Sequence, residues 1–197
     1  MFFTIFALIN SHKSMENKVT LHDKTFKLFI PNEKIEKAID EVAARLNQDY
    51  ANATDENPVI LLCTLNGAII FAAELLKRVS FPLELKACKL SSYSGTQSTG
   101  VIKTEVPLPA HLEGRRVIIV EDIVDTGNTI VAMKGLLEAA KVQDAKICTL
   151  LVKPEVYKKD VKLNYVAMEI PNRFIVGFGL DYDELGRNIK DIYVLDE

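Results

Sequence analysis

Cysteine is scarce in this 197-residue chain. The three present, Cys63, Cys88 and Cys148, are widely spaced and lie in apolar segments. They form no metal-ligand pattern and no even disulfide set, so a reducing cytoplasm is the expected compartment. Excess positive charge is also missing. The formal net charge is -3, whereas a broad nucleic-acid surface wants clustered Lys and Arg. The N-terminal run Phe2 to Ile9 is far short of the ~20 residues that span a bilayer. It also lacks the preceding basic residues and the cleavage site of a secretory signal. Met15 reads as the better start, which makes residues 1–14 an upstream extension without function. Neither nucleic acid nor membrane is an expected partner. A Walker loop is absent, because no Gly-x-x-x-x-Gly-Lys occurs. His22 and His111 stand alone in polar turns, with nothing beside them to complete a metal site.

What is present is 48% hydrophobic residues over a length that suits one globular domain with a real core, here residues 15–197. The most informative stretch runs from Arg116 to Ile130. Val117-Ile118-Ile119-Val120 is short and β-branched, as expected of a strand buried on both faces of a parallel sheet. Glu121 and Asp122 follow, then Asp125, then the polar turn Thr126-Gly127-Asn128-Thr129. A helix starts from that turn with Ile130, Met133, Leu136, Leu137 and Ala140 on one side. A turn feeding a helix N-terminus offers free N–H groups and a positive dipole end, which suits a phosphate. Gly127 lets the backbone approach, and the hydroxyls of Thr126 and Thr129 can add bonds. Carboxylates beside a phosphate need hydroxyls or a divalent cation, and a ribose 5-phosphate supplies the hydroxyls. The same residues would also serve as an acidic strand-to-helix loop with a threonine cap and nothing bound.

Elsewhere the pattern predicts a hairpin over Val19–Ile30 and a helix capped by Asn32, with Ile35, Ala38, Ile39, Val42, Ala43 and Leu46 inward. Val59–Thr64 reads as a buried strand that passes through Leu65-Asn66-Gly67 into a helix over Ala68–Val79. Strands are expected over Leu83–Leu90, Val101–Val106 and Lys146–Val152. Residues 91–100, rich in Ser, Thr and Gly, read as a mobile lid. Strands alternating with helices make the fold class α/β.

The run from Val117 to Thr129 resembles the 5-phosphoribosyl 1-pyrophosphate (PRPP) motif of the type I phosphoribosyltransferases. Within that family, Phe174-Ile175-Val176-Gly177 followed by Leu180-Asp181-Tyr182 and Arg187 is similar to the C-terminal hood of the hypoxanthine and hypoxanthine–guanine branch. The likeness implies a central, mostly parallel sheet flanked by helices, a small hood from the N-terminal hairpin and C-terminal segment, and a flexible lid over 91–100. It implies transfer of the phosphoribosyl group from PRPP to a 6-oxopurine with Mg²⁺ as cofactor, in a homodimer or homotetramer.

The resemblance also implies roles. Asp125 would be the general base, and Glu121 and Asp122 would hold the ribose hydroxyls and, with Asp181, the metal. Thr126, Gly127, Asn128 and Thr129 would take the 5-phosphate, and Asn66, Gly67 and Arg187 the pyrophosphate. Asn66 stands where the purine branch usually has Lys, so only the backbone part of that role carries over. Lys153, Phe174, Ile175 and Asp181 would meet the purine, and Ser92 and Tyr93 would close over PRPP. A xanthine or broad 6-oxopurine activity on the same scaffold, a PRPP-sensing regulator, and a fold kept only for assembly are the alternatives.

Overall fold

The structure, a computed structural model, describes residues 18–92 and 102–196. The extension 1–14 and the lid residues Tyr93–Gly100 lie outside the described residues. The chain divides into two compact units: one holds residues up to Ile35 together with Arg173 onward, and the other spans Glu36–Asn172.

The larger unit is built on a six-stranded sheet in the order β5-β4-β3-β6-β7-β8. Its strands are β3 (Val59–Thr64), β4 (Leu83–Ser92), β5 (Ile102–Val106), β6 (Arg116–Val124), β7 (Asp144–Val152) and β8 (Tyr165–Glu169). All neighbours pair in parallel except β4 and β5. The helices are α1 (Asn32–Asp49), whose first turn falls in the smaller unit, α2 (Ile69–Leu76) and α3 (Asn128–Ala139).

Strand periodicity divides the core. Ile60 and Leu62 of β3, Val117 and Ile119 of β6, and Ile147 of β7 pack with Ile130, Met133 and Leu137 of α3. The alternate residues Leu61, Ile118 and Val120 are equally buried on the other face, where α2 packs on β6 and β3. Both faces are covered, which is why these strands read as unbroken apolar runs. The expected inward stripe of α1 is buried at every position from Ile35 to Leu46.

The smaller unit carries a four-stranded sheet, β1-β2-β10-β9. It comprises the hairpin β1 (Lys18–Leu21) and β2 (Lys24–Ile30), followed by β9 (Ile175–Val176) and β10 (Ile192–Leu195), all antiparallel. Phe26, Val176 and Tyr193 form its buried centre.

Several boundaries differ from the sequence reading. Strand β6 does not stop at Val120 but runs through Glu121 and Asp122, because pairing with β7 continues to Val124. Helix α2 is shorter than expected, with Ala68 as its cap and Lys77 at its end. Pro31, not Asn32, supplies the first acceptor of α1, bonding the amides of Lys34 and Ile35. Leu136 is 40% exposed rather than inward. Ser91 and Ser92, assigned to the lid on composition, end β4 instead, opposite Lys103 and Ile102. Strands β8 and β10 are not among the strands expected from the sequence.

Candidate active site

Three adjacent parallel strands, β3, β6 and β7, bring the chemistry to their carboxyl ends, where parallel α/β sheets place their sites. Strand β3 delivers Thr64 and Leu65-Asn66-Gly67, β6 delivers Glu121 to Thr129, and β7 delivers Lys153.

Alternation sends the two neighbouring acids of β6 to opposite faces. Glu121 falls on the side of Ile119 and α3, where it is buried. There the Thr64 hydroxyl contacts both the Glu121 carboxyl group and, at 2.8 Å, the Val120 carbonyl oxygen. A hydroxyl has one proton to give. Its one proton therefore serves either the Glu121 carboxylate or the Val120 carbonyl oxygen, not both. Burial and then the Asp122 charge push the Glu121 carboxyl up to about 8, against the opposing bond from Thr64. Asp122 falls on the other side. Its carboxylate accepts from the Ile123 amide at 2.9 Å and occupies the space beside Gly67, where an added Cβ would lie 1.7 Å from Oδ2.

Beyond β6 the chain turns sharply. Gly127 has φ +80°, in the left-handed region, which glycine adopts without a Cβ penalty. As the cap of α3 it has no side chain to bond the helix amides, and a cavity lies at this end of the helix. That cavity is lined by Glu121, Ile123 to Ile130, and therefore by Asp125, Thr126, Gly127, Asn128 and Thr129 together. Tyr157 lies against the outside of the turn. A Cβ on Gly127 would come within 2.4 Å of its ring and 3.1 Å of Lys159 Cγ.

Lysines are mostly exposed, but Lys153 is buried. Its backbone amide bonds the Val124 carbonyl at 3.0 Å, which holds it beside the end of β6. Its ammonium then reaches Asp125 at 2.9 Å. The side chain of Lys153 is 10% exposed and that of Asp125 47%, so the carboxylate is open to solvent and the ammonium is not.

Residues 30–183 match the phosphoribosyl transferase domain. The chain belongs to the phosphoribosyltransferase family. The hypoxanthine-guanine phosphoribosyltransferase of Streptococcus thermophilus is 41% identical over 172 residues, covering 87% of this chain and 93% of that protein. The hypoxanthine-guanine-xanthine phosphoribosyltransferase of Tritrichomonas foetus is 41% identical over 165 residues, 83% and 87% of the two chains. A crystal structure of a hypoxanthine phosphoribosyltransferase from Staphylococcus aureus matches with TM-score 0.79 at 36% identity, over 86% of this chain and 91% of that one. The mostly parallel sheet with its helices is the type I phosphoribosyltransferase fold.

Of the other residues to which the resemblance gives roles, Phe174, Ile175, Asp181 and Arg187 lie in the smaller unit. Ile175 opens β9, and Phe174 beside it is 44% exposed. Asp181 pairs with Arg187 at 2.8 Å, and Arg187 also donates to the Gly179 carbonyl oxygen at 3.0 Å.

Two residues around the turn were missed by the sequence reading. Thr64 had a signal, as the one polar side chain ending an otherwise apolar strand. Tyr157 had none, because its partner Gly127 is distant in sequence.

Proposed function

We propose that this phosphoribosyltransferase is a purine-salvage enzyme that transfers the 5-phosphoribosyl group of PRPP to hypoxanthine and guanine, releasing pyrophosphate. The observation that carries this is the cavity of Glu121, Asp125 and the Thr126–Thr129 turn at the N-terminus of α3, with a buried lysine beside it. An anion fits the free amides and dipole of such a turn, and acids next to it fit ribose hydroxyls.

In this reading the 5-phosphate sits on Thr126, Gly127, Asn128 and Thr129 and fixes C1 for attack. Glu121 and Asp122 bind the ribose hydroxyls, and the Asp122 carboxylate stabilises the positive charge that develops on the ring as pyrophosphate leaves. Asp125 accepts the N7 proton of the purine. Its carboxylate is already held by Lys153, so the pair can share the base between them: Lys153 donates to the 6-oxo oxygen while Asp125 takes the proton. The backbone of Asn66 and Gly67, with Arg187, binds pyrophosphate. Phe174 stacks on the purine, the Ile175 backbone meets its edge, and Asp181 assists a metal. Ser92 and Tyr93 serve the lid.

Magnesium fits this donor set. Among the described residues no three His, Cys, Asp or Glu side chains cluster to cage an ion, but Mg²⁺ binds through one or two carboxylates, substrate phosphates and waters. Bound that way, it would neutralise the pyrophosphate leaving group. Three unpaired, buried cysteines support a reducing cytoplasm, and assembly into a dimer or tetramer is part of the proposal. Among the described residues no helix is long and apolar enough to cross a membrane.

Xanthine is the second substrate to consider, because the Tritrichomonas foetus relative is named for it. The test is nucleotide formation with PRPP and Mg²⁺, with hypoxanthine, guanine, xanthine and adenine offered in parallel. Turnover of hypoxanthine or guanine without adenine is expected. A buried donor at Lys153 has no acceptor in the 6-amino group, and such mismatches discriminate by ~10⁴ or more. PRPP binding without turnover of any base would overturn the transferase reading.

A further inference from the structure

Phe174 is 44% exposed, yet it is held on two sides. Tyr182 meets its ring edge-on, with centroids 5.7 Å apart and planes at 87°. The fully buried Phe26 lies at 5.9 Å, and Phe26 and Tyr182 touch each other at 6.1 Å. These are the spacings at which aromatic pairs attract. Tyr182 is in turn fixed by the turn between β1 and β2. Its phenol donates to Asp23 at 2.7 Å, the His22 ring packs at 5.6 Å and 82°, and the Lys24 ammonium lies 4.8 Å from its ring centroid. His22 also bonds the Asp183 carbonyl at 3.2 Å, which fastens the same turn to the residue after Tyr182. The ring that the proposed function uses to stack the purine is thus clamped by a hairpin turn from the other end of the chain.

We propose that Tyr182 is a positioning residue for the purine, presetting the Phe174 ring as a stacking platform, with Asp23 anchoring the Tyr182 phenol. The inference rests on the reading of Phe174 as the stacking residue. An exposed phenylalanine without these props samples several rotamers and must be ordered each time a base binds. A preset ring has met that cost in the folded state. The base, and not PRPP, gains from this.

The test compares Tyr182→Leu, Tyr182→Phe, Asp23→Asn and Phe174→Leu, and combines Tyr182→Leu with Phe174→Leu. Tyr182→Leu should raise KM for hypoxanthine about three- to tenfold, the scale of ordering one side chain, with KM for PRPP within about twofold. Tyr182→Phe and Asp23→Asn keep the ring and the fold and should give a smaller rise of the same kind. In the Phe174→Leu background the Tyr182 effect should vanish, because the two act through one ring. An equal rise in that background, a parallel rise in KM for PRPP, or no rise at all would overturn the proposal. Calorimetric binding of IMP gives the same comparison without turnover. An inactive wild type would therefore sink the transferase reading while leaving this inference decidable.

Discussion

The carboxylate of Asp122 fills the volume that a side chain at Gly67 would need: a Cβ there would lie 1.7 Å from Oδ2 and 2.5 Å from Cγ. The proposed pyrophosphate loop and one of the proposed ribose acids are therefore in contact. Gly67→Ala should displace Asp122 more than it damages the fold, since the obstacle is a side chain that can swing. The expected result is a Tm loss of a few degrees, from about 1–3 kcal/mol of overpacking, with a larger proportional rise in KM for PRPP. Calorimetry and PRPP titration check this; an unchanged KM would contradict it.

Gly127 is constrained twice. Its φ of +80° disfavours any Cβ, and a Cβ would also press on Tyr157 at 2.4 Å. Gly127→Ala should cost about 1–3 kcal/mol in urea unfolding. Adding Tyr157→Leu should recover part of that loss, because it removes the clash but leaves the backbone strain. No recovery would show that strain alone sets the cost.

The Lys153–Asp125 pair is asymmetric in burial, so its two halves should respond differently. Lys153→Met leaves Asp125 able to hydrate and should lower stability by no more than about 1 kcal/mol. Asp125→Ala strands a buried ammonium and should cost more, about 2–3 kcal/mol, below the full buried-pair range because water reaches the carboxylate side. In activity, Asp125→Asn should lower kcat by ~10²–10⁴, the usual worth of a general base. Near-normal kcat in that variant would remove Asp125 from the proton-transfer role.

Glu121 makes the ligand-free protein sensitive to pH. Its folded carboxyl is raised to about 8 from an ordinary 4.5. Between those values the folded state therefore binds more protons than the unfolded chain, and stability falls as pH rises. The contribution is fully present below about pH 4.5 and is lost as pH passes through about 8. Urea midpoints at pH 5, 6.5 and 8, measured with a chelator present, should decline, and Glu121→Gln should flatten that decline. An unchanged slope in the variant would assign it to other groups.

The central motif was legible because its chemistry is local. Thr126-Gly127-Asn128-Thr129 sits between an apolar strand and an amphipathic helix, and each of those periods can be read within a dozen residues. The inward stripe of α1 and the buried strands β3, β6 and β7 were legible for the same reason. The limits of β6 were not, because Glu121 and Asp122 look like loop residues until β7 pairs with them. Strand β8, only half-buried along most of its length, lacks the unbroken apolar run of its neighbours.

The sequence by itself determined the family, the α/β order of the elements and the composition of the phosphate turn, because strand and helix periodicity and turn chemistry depend on near neighbours. Only the tertiary structure decided which acid is buried, that Lys153 meets Asp125, that Asp122 abuts Gly67 and that Tyr182 braces Phe174. The first follows from the face of β6 on which each side chain falls. The next two depend on the order β3-β6-β7, and the last on a hairpin turn some 160 residues away in sequence. Such contacts arise from packing between distant segments, which leaves no pattern in any one stretch of chain.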